Sequence, residues 1–188
     1  MIGKKNVVFG FLFLVASAAL GPLMVFKYQE WGTANAEKQV VVGKLQQLKA
    51  GEYAEDPETL AELEPKQLAV ANAEAIIAMN KVGAIEFGID SIKGGPHAHG
   101  NLESLLNIVV GIVLCFIAAP ALWKQVVSWM FIVGTVMHSG MLYLERVFEL
   151  PWASTLLGTG IGPGLIISGL LLAGLLAAKG FRGEIVRD

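Results

Sequence analysis

Ala-Ser-Thr-Leu-Leu-Gly-Thr-Gly-Ile-Gly-Pro-Gly-Leu-Ile-Ile-Ser-Gly-Leu-Leu-Leu-Ala-Gly-Leu-Leu-Ala-Ala, residues 153–178, carries no charged side chain. A helix of about 20 apolar residues at 1.5 Å rise crosses the hydrocarbon core of a bilayer. Three further stretches meet that length: Val7 to Phe26, about Leu102 to Leu122, and Val126 to about Leu144. The remaining chain is too short to wrap four such helices in a soluble core. The fold class expected is therefore all-α, an integral membrane four-helix bundle. Of 188 residues, 54% are hydrophobic and 16% charged, against about 25% charged in soluble domains.

Charge and cysteine content narrow the function. A net charge of −2 excludes nucleic acid as a partner, because phosphate binding needs a concentrated excess of Lys and Arg. The single cysteine, Cys115, excludes an internal disulfide and any Cys-x-x-Cys metal site. No phosphate loop of the form GxxxxGK[ST] occurs.

Three regions follow: an N-terminal transmembrane helix over 1–26, an extracytoplasmic helical segment over 27–96, and three transmembrane helices with a short cytoplasmic tail over 97–188. The first apolar run exceeds the core of a secretory signal, so it reads as a retained anchor, with cleavage near Val15–Ala19 as the alternative. Lys4 and Lys5, Lys124, and Lys179, Arg182 and Arg187 fall on one side of such a bundle. By the excess of positive charge on cytoplasmic ends, both termini are expected in the cytoplasm of a bacterial inner membrane. Trp31, Trp129 and Trp152 suit the interfacial belts.

In the segment between spans one and two, Val40, Val41, Leu45 and Leu48 share one side of a helix. Asp56-Pro57-Glu58 reads as a helix start. Ile76, Ile77, Met79, Val82, Ile85 and Ile89 mark an apolar stripe in a second helix, which Gly94-Gly95-Pro96 ends. The expectation is an external helical hairpin that caps the bundle.

Ionisable groups inside a span are costly and mark functional or paired sites. Span two opens Pro96-His97-Ala98-His99-Gly100-Asn101-Leu102-Glu103-Ser104-Leu105-Leu106-Asn107. His99, Glu103 and Asn107 recur every four residues and share a helix face. His97 points about 200° from His99 on such a helix and reads equally as an interfacial residue. Span three offers Thr135, His138, Tyr143, Glu145 and Arg146. With the turn between these spans at Trp123-Lys124, His99 is level with Phe148, and Glu103 lies near Tyr143 and Arg146. His138 falls near Asn107, roughly 15 Å in depth from His99, so the two histidines are not expected on one iron. In span four, Gly158/Gly162 and Gly160/Gly164 are small-xxx-small pairs that permit close helix approach, and Pro163 is expected to kink the helix.

Ala98-His99-Gly100 and the helix after it, the tight turn, and a polar third span containing Tyr143 together resemble the styrene oxide isomerase family of small membrane haem proteins. The resemblance covers roughly Pro96 to Ala178. It implies four helices per protomer, assembly as a trimer, and haem b held by a histidine near the start of the second helix. It also implies a ferric iron that acts as a Lewis acid on an epoxide oxygen. Two departures stand out: the segment after span one is much longer here, and Thr135 or His138 stands where the family has an intramembrane Asp.

The leading expectation is a haem b-binding membrane protein with His99 as axial ligand, Glu103 and Arg146 beside the cofactor, and Tyr143, Asn107 and His138 as candidate catalytic groups. Arg146 and Lys93 are candidate partners of the propionates. One alternative is a copper or other metal site built from His97, His99 and Glu103. Another is a non-catalytic subunit of a larger membrane complex, packed through span four. The expected partners are membrane lipid and further copies of the chain or such a complex.

Overall fold

The computed structural model describes residues 1–53, 55–56 and 61–186. It is all-α, with eight α-helices and no strand among the described residues. The helices are α1 (Lys4–Ala18), α2 (Leu20–Ala50), α3 (Pro65–Ile92), α4 (Ala98–Leu114), α5 (Ala121–Thr135), α6 (Met141–Arg146), α7 (Pro151–Leu157) and α8 (Ile161–Gly180). Four helical stretches, Lys4–Ala50, Pro65–Leu114, Ala121–Arg146 and Ile161–Gly180, are long and apolar enough to cross a membrane. The chain is a membrane helical bundle, and it divides into two compact units, Met1–Pro22 with Ser91–Asp188, and Leu23–Asp90.

In the first unit, α1 packs against α4, α4 against α5, and α5 against α8. The α1–α4 pair is antiparallel, with Gly3 against Gly111, Gly10 against Ser104 and Ile108, and Ser17 against Gly100. Val110, Leu114, Ile117, Val127, Phe131 and Ile166 form the apolar core. The outward faces carry Leu102, Leu105, Val109 and Ile112 on α4 and Ile167, Leu171 and Leu175 on α8, all exposed. Large apolar side chains on the outside suit a hydrocarbon solvent.

The turn between α4 and α5 lies earlier than the apolar pattern implies. α4 stops at Leu114, and Cys115–Pro120 is not helical. Pro120, with φ −55° and ψ 137°, caps α5. Proline lacks the N–H that a helix interior needs and holds its predecessor out of the α conformation. The apolar connector instead pairs with the C-terminal segment: Ala118 N–H donates to Gly180 O, and Arg182 N–H to Phe116 O. Lys124 is accordingly a buried residue of the first turn of α5, not a turn residue. Lys4, Lys5, Lys124, Lys179 and Arg182 still gather at this end of the unit; Arg187 lies outside the described residues.

Two π-helical turns interrupt the α-helices. Lys93–His97 joins α3 to α4, with Gly95 in a non-helical conformation and Pro96 inside it. Gly95, at φ −89° and ψ −108°, leaves the helical conformation, so Gly94-Gly95-Pro96 ends one helix in a kink and the next begins after it, as the sequence implies. Val136–Gly140 joins α5 to α6. Each wide turn shifts the faces of the residues that follow.

Span four is broken, not kinked. α7 ends at Leu157, Gly160 adopts φ +69°, and α8 starts at Ile161 with Pro163 in its first turn. Proline is tolerated there because the first turn has no N–H partners to lose. Gly158 and Gly164 face no other helix, whereas a Cβ on Gly162 would lie 2.7 Å from the backbone N of His138. Gly134 and Gly169 complete this seam, against Ile166 and Phe131.

The second unit is an antiparallel helical pair, registered by Lys81 Nζ 2.6 Å from Glu37 Oε2. Its buried and half-buried positions on α3 include Leu68, Ala71, Ala75, Ala78, Val82, Ile85 and Ile89, with Gly88 beside the last. Their alternating three- and four-residue spacing is that of a coiled-coil seam. Val41, Leu45 and Leu48 lie in the matching seam of α2, whereas Val40 is exposed. Ile76, Ile77 and Met79, expected in the stripe, are exposed as well. Pro57 and Glu58 of the expected helix start lie outside the described residues.

The Gly162 contact yields a stability prediction. Gly162→Ala pushes α8 off the His138 backbone and lowers stability by about 1–3 kcal/mol. Gly164→Ala, facing open space, is neutral or stabilising by up to about 1 kcal/mol. Thermal unfolding of the two variants in detergent measures the difference.

Candidate metal centre

α4 sets one end of the site. Its four-residue repeat places His99, Glu103 and Asn107 along one face, as the sequence implies. Glu103 is 4% exposed and Asn107 fully buried, while His99 is exposed. The second π turn supplies the other wall. His138 Nδ1 lies 2.5 Å from Glu103 Oε1, and the Ser139 hydroxyl donates to Glu103 Oε2 at 2.6 Å.

His99 and His138 meet directly, with ring centroids 4.8 Å apart and planes at 61°. This corrects the expected depth difference. Moving the turn from Trp123-Lys124 back to Cys115–Pro120 raises α5 by several residues relative to α4. His138 thereby rises from the level of Asn107 to that of His99 and Glu103. One donor atom from each of His99, Glu103 and His138 lies within 4.8 Å of the others. The three can hold a metal ion.

Below this cluster runs a buried polar network that ties three helices together. Asn107 Nδ2 donates to Thr135 Oγ1 at 2.9 Å and to the Glu103 carbonyl at 3.0 Å. Asn6 of α1 donates from Nδ2 to Asn107 Oδ1 and to the Ser128 carbonyl, each at 3.0 Å, and accepts from the Ser128 hydroxyl. Buried polar groups in a bilayer are tolerated when satisfied in this way.

The other expected site residues lie elsewhere. His97 Nδ1 faces the Ser17 carbonyl at 3.0 Å, so the trio His97, His99 and Glu103 is not assembled. Tyr143 packs against Phe148, with centroids 5.7 Å apart. Arg146 pairs with Glu145, Nε to Oε2 at 3.4 Å. Glu103 thus meets His138 and Ser139 in place of Tyr143 and Arg146. Asn107 has no exposed surface, and its side chain is engaged with Asn6, Thr135 and the Glu103 carbonyl. Asn6, Ser128 and Ser139 went unnoticed in the sequence, where short polar residues at a span end or beside glycine carry little hydropathy signal. Cys115 is half-buried with its Sγ 3.4 Å from the Gly111 carbonyl, a packing role.

The network predicts non-additive mutational effects. Asn107→Leu leaves Asn6 and Thr135 groups unpaired and costs about 1–3 kcal/mol. The double variant Asn6→Leu, Asn107→Leu costs less than the sum of the single ones, because both members of a pair leave together. A double-mutant cycle by thermal or denaturant unfolding reads this coupling.

Neither a protein-family profile, nor a curated protein, nor a solved structure matches this chain.

Proposed function

We propose that this chain is an integral membrane protein that binds a transition-metal ion through His99, Glu103 and His138. The observation that carries the reading is the convergence of these three donors from α4 and the second π turn, within 4.8 Å of one another. Two imidazoles and a carboxylate form a donor set suited to divalent copper, zinc or iron. The partners fit a metal in a further respect: the Ser139 hydroxyl holds one oxygen of the Glu103 carboxylate, as hydrogen bonds hold carboxylate ligands in metal sites, and the contact between Glu103 and His138 gives way to shared coordination when the ion binds. A bound ion would supply a Lewis-acidic or redox-active centre open to one side, since His99 is exposed.

A second reading has its own support. Glu103 is already committed to His138 and Ser139, which leaves His99 as the uncommitted donor. A lone exposed histidine at the start of a span suits single axial ligation of haem b, as the resemblance to styrene oxide isomerases implies, with trimeric assembly. Bis-histidine ligation by His99 and His138 does not fit. Axial nitrogens on one haem iron are about 4 Å apart on opposite faces, and rings meeting edge to face at 4.8 Å leave no room for a porphyrin between them.

The membrane orientation follows from charge. Lys4, Lys5, Lys124, Lys179 and Arg182 gather at the end opposite the histidines, so the metal centre faces the outer side of a bacterial inner membrane. The pairing of Asn6 with Asn107 supports α1 as a retained span.

Elemental analysis and the optical spectrum of purified protein test the proposal together. One equivalent of metal without a Soret band, lost in both His99→Ala and His138→Ala, is the expected result. Glu103→Gln, which removes the anionic donor of the set, weakens retention at least tenfold, on the order of the loss of an outer-shell partner or more. Affinity falls as pH falls, because the imidazoles must shed protons to bind. A Soret band that depends on His99 but not on His138 favours haem b, and the absence of both signals after supply of metal and haem refutes both readings.

A further inference from the structure

At the end of the first unit opposite the histidines, two apolar grooves flank a pair of lysines. Lys5 Nζ lies 2.5 Å from Gln125 Oε1 and 4.2 Å from the centre of the Trp129 ring. Both of these partners are neutral. Lys4, one residue away, is exposed. One groove, about 600 Å³, runs from Lys4 and Lys5 along Val8, Phe9 and Leu12 to Gln125. The other, about 480 Å³, runs from Gln125 along Val126, Met130 and Leu165. Each extends roughly 10 Å along its helix, at 1.5 Å rise per residue. Trp129, half-exposed at 53%, lines the second groove and carries the lysine on its face.

We infer that this end binds one anionic diacyl glycerophospholipid, its phosphate against Lys4 and Lys5 and its two acyl chains in the grooves on either side of Gln125. The cationic pair sits where a headgroup sits, at the end of the spans. Lys5 Nζ is met by an amide oxygen and a ring face, neither of which carries a negative charge, so an anion is the complementary ligand. Two shallow apolar grooves that share Gln125, one along α1 and one along α5, match the two chains of a diacyl lipid better than a single helix. Basic sites between spanning helices at the cytoplasmic end recognise anionic headgroups on this principle, each lysine contributing about fivefold. This site shares no residue with the metal centre, so it stands or falls separately from it.

Native mass spectrometry of the full-length protein in detergent, with equimolar dioleoylphosphatidylglycerol and dioleoylphosphatidylcholine, tests the inference. The expected result is retention of one phosphatidylglycerol per chain in preference to phosphatidylcholine. Lys4→Gln, at an exposed position, reduces the preference about fivefold. Lys5→Arg preserves it, and Lys38→Gln in the second unit leaves it unchanged. Equal retention of the two lipids, or an unchanged preference in Lys4→Gln and in the Lys4→Gln, Lys5→Gln double variant, overturns the inference. So does efficient disulfide cross-linking of Leu12→Cys in a Cys115→Ser background, which would show a second copy of the chain covering the groove.

Discussion

The interaction on which the rest depends is the clasp around Glu103. A carboxylate buried inside a spanning helix is tolerated only when partners replace its water. Here the partners come from a single π turn of the neighbouring helix: His138 on one oxygen and Ser139 on the other. That demand fixes the register of α4 against α5. It also explains why α5 does not run on as an uninterrupted α-helix. A regular helix advances 100° per residue and would separate consecutive residues such as His138 and Ser139 by that angle. The wider turn narrows that angle while both side chains meet the same carboxylate, and π turns recur at functional sites.

The remainder of the first unit serves that register. Gly162 lets α8 press directly on the backbone of the π turn, at a distance no larger residue permits. Asn6 and Asn107 lock α1 and α4 onto α5 below the clasp. The connector after α4 is held by the C-terminal segment. Apolar burial alone is weak glue between helices in a lipid solvent, so close glycine contacts and satisfied polar groups carry the specificity. The outcome is three donors brought together, with His99 exposed at their edge.

Much of this was legible in the sequence, and the rest failed for identifiable reasons. The four apolar stretches and the shared face of His99, Glu103 and Asn107 follow from length and helical period. The meeting of His99 with His138 does not, because hydropathy cannot distinguish the apolar coil Cys115–Ala119 from a helical end; Pro120 was the signal that placed the turn. The π turn at Val136–Gly140 adds a shift that no period-based reading contains. In the second unit, bulky Ile76, Ile77 and Met79 drew the stripe to the wrong face, while the seam runs through Ala71, Ala75 and Ala78, whose small side chains weigh little on a hydropathy scale. The serines and Asn6 were missed because one short polar residue at a helix end is ordinary until its partner is known.

The most direct test of the central claim is X-ray absorption at the edge of the metal bound to the purified protein. The account predicts a first shell of nitrogen and oxygen at about 2.0–2.2 Å with the outer-shell scattering of two imidazoles, one of them lost in His138→Ala. A shell of four equatorial nitrogens with porphyrin scattering, or one imidazole unaffected by His138→Ala, would contradict it.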